Sequence, residues 1–159
     1  QGTVTESGHI ITYNSSTPDD NIDAAVGAVQ TSDGIVTGIA MAPAMGAAIG
    51  AMKMTDSGAA MYPEFRFGGN PAAFGALASD INSTVAFGAN QKLRAIVGDF
   101  ANAFKWGYAE NITLEVIQYG DPDGQGDLKR TNEIVLRSEA YIGWGILDAN
   151  SFALIKVNP

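Results

Sequence analysis

Asn111-Ile-Thr-Leu-Glu-Val-Ile-Gln-Tyr119 and Asn132-Glu-Ile-Val-Leu-Arg-Ser-Glu-Ala-Tyr-Ile-Gly-Trp144 are the two runs whose reading decides the fold. In the first, Ile112, Leu114 and Val116 alternate with Thr113 and Glu115. In the second, Ile134, Leu136, Ser138, Ala140 and Ile142 oppose Val135, Arg137, Glu139 and Tyr141. Period-2 patterning is the signature of a strand with two unlike faces, so each run is expected to be a long strand with one face turned to a core. The intervening Gly120-Asp-Pro-Asp-Gly-Gln-Gly-Asp127 is rich in residues that interrupt ladders and favour turns. Two antiparallel strands joined by a loop are the simplest outcome. Leu93-Arg-Ala-Ile-Val97, ending at Gly98-Asp99, and the closing Ser151-Phe-Ala-Leu-Ile-Lys-Val157 add further strands, with the aromatic Phe104-Lys-Trp-Gly-Tyr108 between.

Upstream of this β section the period changes. Thr17-Pro18-Asp19-Asp20 has the chemistry of a helix start: Thr17 to cap free N–H groups, Pro18 at the first helical position, and two carboxylates at the positive end of the dipole. Ile22, Ala25, Val26 and Val29 then fall at helical spacing, and Asp33-Gly34 ends the helix. Ile35-Val-Thr-Gly-Ile-Ala-Met41 is a short apolar run bounded by Gly34 and Pro43, as in a strand covered on both faces. Pro43 opens a second helix with Met45, Ala48, Ile49 and Met52 on one stripe. Its small residues Gly46, Ala47, Gly50 and Ala51 suit close approach to a sheet. The nearly uncharged run from Ile35 to Met54 does not read as a membrane span, because Pro43 splits it and its apolarity is mostly Ala and Gly. Residues 55–92 show no clean period. There Phe65, Phe67, Phe74, Leu77, Ile81, Val85 and Phe87 are spread among small and polar residues, and long loops with short extended pieces are expected. The polar N-terminal residues 1–17 carry one patch, His9-Ile-Ile-Thr-Tyr13, suited to a sheet edge.

At 159 residues the chain suits a single domain. Nine basic against 17 acidic residues give a net charge of -8, the wrong sign for specific nucleic-acid binding through phosphates. With no cysteine and one histidine, His9, thiolate sites, disulfides and multi-histidine metal centres are excluded. Gln1 is not a natural initiator and the chain does not open on a charged segment followed by an apolar run, so no signal peptide is expected and the chain is expected to be a fragment or a processed product. The sequons at Asn14, Asn82 and Asn111 read as chance without a secretory route.

Chemistry-bearing motifs are sparse. Asp121-Pro-Asp-Gly-Gln-Gly-Asp127 resembles the start of a calcium loop, but the fifth position is Gln125 and the twelfth is Asn132 where a bidentate Glu is needed, so a solvated hairpin loop is the plainer reading. Gly124-Gln-Gly126-Asp-Leu-Lys129 lacks the third glycine of the dinucleotide fingerprint. No Gly-x-Ser-x-Gly elbow or phosphate loop exists, and histidine-dependent triads have only His9 to use. No enzyme, cofactor or metal is expected. Trp106, Tyr108, Tyr119, Tyr141 and Trp144 read as strand formers with core or subunit-contact roles rather than as a stacking platform. Asn132 and Glu139, seven apart, would face opposite ways in an unbroken strand.

In their order and spacing these motifs resemble the HK97-fold major capsid proteins of tailed bacteriophages and prophages. The residues that carry the resemblance are Thr17-Pro-Asp-Asp20, Ile39-Ala-Met-Ala-Pro43 with its helix, Phe74-Gly-Ala-Leu77, Ile96-Val-Gly-Asp-Phe100, Ile112-Thr-Leu-Glu-Val116, Asn132-Glu-Ile-Val-Leu-Arg137 and Ser151-Phe-Ala-Leu-Ile155. The match covers about residues 17–157. Departures are Ala76, where members often have proline, and Ala140-Tyr141, where an arginine often follows the position of Glu139.

The resemblance implies an α+β, HK97-like fold and the C-terminal portion of a longer subunit. Residues 17–108 would be most of the axial domain, a mixed sheet flanked by helices, and 109–159 the long strands that link it to the peripheral domain. The N-terminal arm, extended loop and spine helix would lie outside this chain. It further implies self-assembly into pentamers and hexamers of an icosahedral shell, contacts with copies of itself and with scaffolding or decoration proteins, assembly in the bacterial cytoplasm, and residence in the virion capsid. Asn132 and Glu139 match the positions of the asparagine and glutamate that some relatives use in a covalent cross-link to a lysine. A cellular compartment shell of the encapsulin type, or a calcium-binding module at Asp121–Asp127, are the alternatives.

Overall fold

The computed structural model describes residues 9–86, 92–122 and 124–157, and at 110–112 the backbone only. Phe87, Asp123, the side chains of Asn111 and Ile112, and residues 1–8 lie outside what is described. The chain divides into two compact units, residues 1–104 with 146–159, and residues 105–145.

The first unit is built on a six-stranded mixed sheet. Its strands are β1 (His9–Thr12), β2 (Gly38–Met41), β3 (Ala73–Phe74), β4 (Leu77–Ile81), β5 (Leu93–Gly98) and β8 (Phe152–Lys156), in the spatial order β1-β8-β5-β2-β4-β3. The last strand in sequence therefore lies beside the first. β8 runs parallel to β1 and antiparallel to β5, with Ile155 opposite Ile11 on one side and Ala95 on the other. β2 pairs antiparallel with β5 and parallel with β4. Two helices, α1 (Pro18–Thr31) and α2 (Pro43–Ala51), and Phe65 in the segment after α2 supply the rest of the core. Ile22, Ala25 and Val29 of α1, Met45 and Ile49 of α2, and the inward side chains Ile39, Met41, Ala95, Val97, Ala153 and Ile155 form one buried cluster. The apolar spacing in both helix segments thus maps onto the core.

Several local expectations change. Thr17 stands at the N-cap of α1 but makes no side-chain capping bond. The turn ahead of the helix is closed by buried Asn21, whose Nδ2 donates to the carbonyls of Asn14 (2.8 Å) and Thr17 (2.9 Å), while its Oδ1 accepts from Asn14 N–H at 3.2 Å. A polar side chain inside the first turn can satisfy such groups as well as a cap can. At the other end Asp33 adopts φ 57°, and Gly34 N–H returns to the Val29 carbonyl at 3.0 Å, as Asp33-Gly34 suggested. β2 begins only at Gly38, and Ile35 is exposed.

Of the small residues on α2, Ala47 and Ala51 are exposed, whereas Gly46 and Gly50 make the close approaches. A Cβ on Gly46 would meet the Ile81 side chain at 2.6 Å. One on Gly50 would meet the Phe65 carbonyl at 2.6 Å, so α2 lies against the backbone of the turn Pro63–Gly68 as well as a strand. Residues 55–86 are more ordered than their lack of period implied. β3 and β4 form one edge of the sheet, and the rings of Tyr62, Phe65 and Phe74 pack edge-to-face at 5.2 Å.

The second unit is a two-stranded ribbon of β6 (Phe104–Ile117) and β7 (Val135–Ile146), which begin and end at the unit boundary, with a one-turn helix α3 (Leu128–Thr131) in the connection. β6 runs unbroken from the aromatic Phe104–Tyr108 segment into the alternating stretch. Contrary to expectation, the described apolar side chains of neither strand form a core face: Leu114, Val116, Leu136, Ile142, Trp106, Tyr108 and Trp144 are all at least half exposed. The alternation is real, but the surface it was made to cover is absent from the ribbon itself.

Candidate functional site

Asn132 is not in a strand. It caps the C-terminus of α3 in the left-handed conformation (φ 58°, ψ 41°), with its N–H bonded to the Leu128 carbonyl. Asn is among the few non-glycine residues that adopt this conformation readily. Asp127 caps the other end, accepting from Lys129 N–H at 3.1 Å. Asn132 and Glu139 therefore do not share an unbroken strand and need not face opposite ways, because β7 starts three residues after Asn132. Glu139 lies within β7 and pairs with Arg137, whose guanidinium also stands 4.0 Å from Glu115 of β6. This pairing puts Arg137, Glu139 and Glu115 on one side of the ribbon. By alternation Leu114, Val116, Leu136 and Ile142 take the other. The ion pairs are exposed and contribute little to stability.

The Asp121–Asp127 loop is organised by its own backbone, with Asp121 accepting from Gly126 N–H at 3.0 Å and Leu128 N–H bonded to the Gly120 carbonyl at 3.0 Å. Among the described residues no three acidic or histidine side chains come together to hold a metal. His9 bonds Ser32 Oγ at 2.8 Å, tying β1 to the end of α1. No described helix is long and apolar enough to cross a membrane.

The aromatics expected in core or contact roles do not enter the core. Trp106 is 63% exposed and stacks edge-on against Tyr108 at 5.7 Å, and Tyr119, Tyr141 and Trp144 are also more than half exposed. A run of apolar and aromatic side chains left uncovered on both strands exceeds the scattered exposure normal for a monomer. Two strands alone are marginal in water. The exposed apolar run of the ribbon is the chief candidate site of the molecule.

Sequence reasoning gave no role to Asp99, which is buried in the first unit just after β5. Its carboxylate accepts from Thr37 Oγ1 (3.2 Å), Ala101 N–H (3.2 Å), Asn102 N–H (3.0 Å) and Asn102 Nδ2 (3.0 Å). Burial raises its pKa, but the bonds from Asn102, Thr37 and Ala101 outweigh burial and hold the carboxyl below its ordinary value. With every oxygen engaged, Asp99 is a structural anchor. A depressed pKa gives stability that is present above the unfolded-chain value and lost as pH falls through the folded value. Asp99→Ala is therefore expected to cost about 1–3 kcal/mol at pH 7 through its orphaned donors. Its deficit relative to the native chain should shrink on acidification below the usual carboxylate range. Urea unfolding at pH 7 and pH 3 measures both, and an equal deficit at the two values would contradict the assignment.

No family model and no curated protein matches the sequence. Solved structures do. One from Mycobacterium phage Ogopogo is 32% identical with a TM-score of 0.79, covering 99% of this chain and 56% of that one. One from Gordonia phage Cozz is 25% identical with a TM-score of 0.78, covering 100% and 52%. The capsid of an empty GTA particle computed with C5 symmetry shares the fold at 17% identity and a TM-score of 0.61, covering 92% and 45%. The chain spans about half the length of these solved relatives.

Proposed function

We propose, from the premise that this chain has the HK97-like fold of phage capsid proteins, that it is the shell-forming part of a phage or prophage major capsid subunit and acts by assembling with copies of itself. The observation that carries this reading is the uncovered apolar ribbon, because such a surface is stable in water only when neighbours bury it. In this reading the six-stranded sheet with α1 and α2 is the axial domain, packed around capsomer centres, and β6 and β7 belong to the arm that reaches adjacent capsomers. Many modest interfaces then add up to a stable shell. Its role is structural, without turnover of a substrate. Its place is the virion capsid after assembly in the host cytoplasm, with scaffolding or decoration proteins as further partners.

Sedimentation velocity on the protein expressed from its complete reading frame tests the reading. Particles far larger than a hexamer are expected at micromolar concentration, and a monomer at every concentration would reject it.

Asn132 and Glu139 are proposed as cross-link positions in that shell, on the strength of their matching order in the family. Asn132 is exposed, at the helix end, where another subunit's lysine has access. Boiling assembled particles in detergent is expected to leave covalent ladders that Asn132→Ala abolishes. Monomer bands alone from native particles would reject the cross-link and leave the shell reading standing.

A further inference from the structure

Phe67 is 98% exposed and holds φ 57°, ψ 32° in the turn between α2 and β3. A bulky residue in the left-handed region is strained, and strain of this kind persists where a site uses it. Its ring carries the Arg66 guanidinium at 5.1 Å, and among the described residues Arg66 has no carboxylate within ion-pair reach. The turn thus presents an exposed basic and aromatic knob at the rim of the hollow beside α2.

The first unit also has a hollow of matching character. A groove of about 430 Å³ runs along β2 and β4, lined by Gly38, Ala40, Ala78, Phe100 and, as its carboxylate, Asp80. Asp80 accepts only from Asn70 at 3.3 Å and meets no cation among the described residues. The small side chains of its floor leave room for a ring, and Asp80 supplies the charge that Arg66 lacks. A buried aromatic with a paired arginine is the composition of interface hot spots.

Resting on the shell-subunit reading above, we infer that the Arg66–Phe67 knob of one copy docks into the β2–β4 groove of a second copy, with Phe67 over Ala40 and Ala78 beside Phe100 and Arg66 paired with Asp80. Knob and groove are different surfaces, so the contact is heterologous and propagates from copy to copy, as ring closure requires.

The test uses protein from the complete reading frame and the variants Phe67→Ala, Arg66→Glu, Asp80→Lys and the double reversal Arg66→Glu/Asp80→Lys. Each single variant is expected to raise the concentration at which assemblies appear about tenfold or more, with the melting temperature of the unassembled chain unchanged. The double reversal is expected to recover most of that loss. Native protein that assembles while Phe67→Ala assembles equally well would overturn this contact alone, as would a double reversal no better than the singles. An Arg66→Glu variant that lowers the melting temperature of the unassembled chain would also overturn it, by showing Arg66 to be engaged within its own chain. Native protein that never assembles would overturn both the contact and the reading it rests on.

Discussion

Ile155→Asp is expected to leave the first unit unfolded at 25 °C. Ile155 has no exposure at all. It sits on β8 between Ile11 of β1 and Ala95 of β5 and belongs to the cluster that α1 and α2 cover. A carboxylate there has no partner, and burying a lone charge costs far more than a methyl deletion. The loss exceeds about 4 kcal/mol, a large share of the 5–15 kcal/mol that holds a typical domain together. Ile155→Val removes one methylene and costs only about 0.5–1.5 kcal/mol. Circular dichroism melts of the two variants check this. A cooperative transition in the aspartate variant within a few degrees of the native one would show that β8 is not the strand that closes the sheet.

The second large effect concerns association. Leu114→Ser with Trp144→Ser removes two exposed apolar side chains from β6 and β7, of which Leu114 is 69% exposed. Because neither contributes to the buried cluster of the first unit, the urea midpoint of that unit is expected to stay within error. Assembly is another matter. Apolar anchors at an interface centre typically cost 2 kcal/mol or more each when truncated, so the pair should weaken association by about a thousandfold or more per contact. Sedimentation would then show only small species at concentrations where the native protein forms particles. Unchanged particles would mean that the ribbon's apolar side chains stay solvated in the assembly.

How far the sequence foretold this molecule depends on the physical signal each element carries. The two helices were legible because Ile22, Ala25 and Val29, and Met45 and Ile49, repeat at the helical period and all end up buried. β5 and β8 were legible as apolar runs. Their place in the sheet was not, because nothing local in His9–Thr12 says that it pairs with Phe152–Lys156 more than 140 residues later. β4 is legible only as one of the short extended pieces of its region, because its half-buried positions Leu77, Ser79 and Ile81 include a serine and its exposed ones an alanine, which blurs the alternation. The ribbon was read correctly as alternating strands and incorrectly as half-buried. Period-2 patterning reports that a face will be covered, and it cannot say whether the cover comes from the same chain.

The candidate positions divide in the same way. Asn132-Glu-Ile-Val reads forward into β7, so the sequence alone places Asn132 in a strand. The left-handed cap it forms instead is set by the Asp127 and Leu128 bonds of a helix too short to show a period. A single Asp after a strand looks like an ordinary turn, so Asp99 does not stand out in the sequence. The signal was present in Asn102, three residues on, and in Thr37, which only the fold brings near.

Electron microscopy of the protein expressed from its complete reading frame bears most directly on the claim that this plate of sheet and helices exists to be tiled. The expected images show closed shells whose density takes up the first unit around five-fold and six-fold centres, with β6 and β7 buried between subunits. Isolated subunits at high concentration, or a shell in which that ribbon stays bare to solvent, would contradict it.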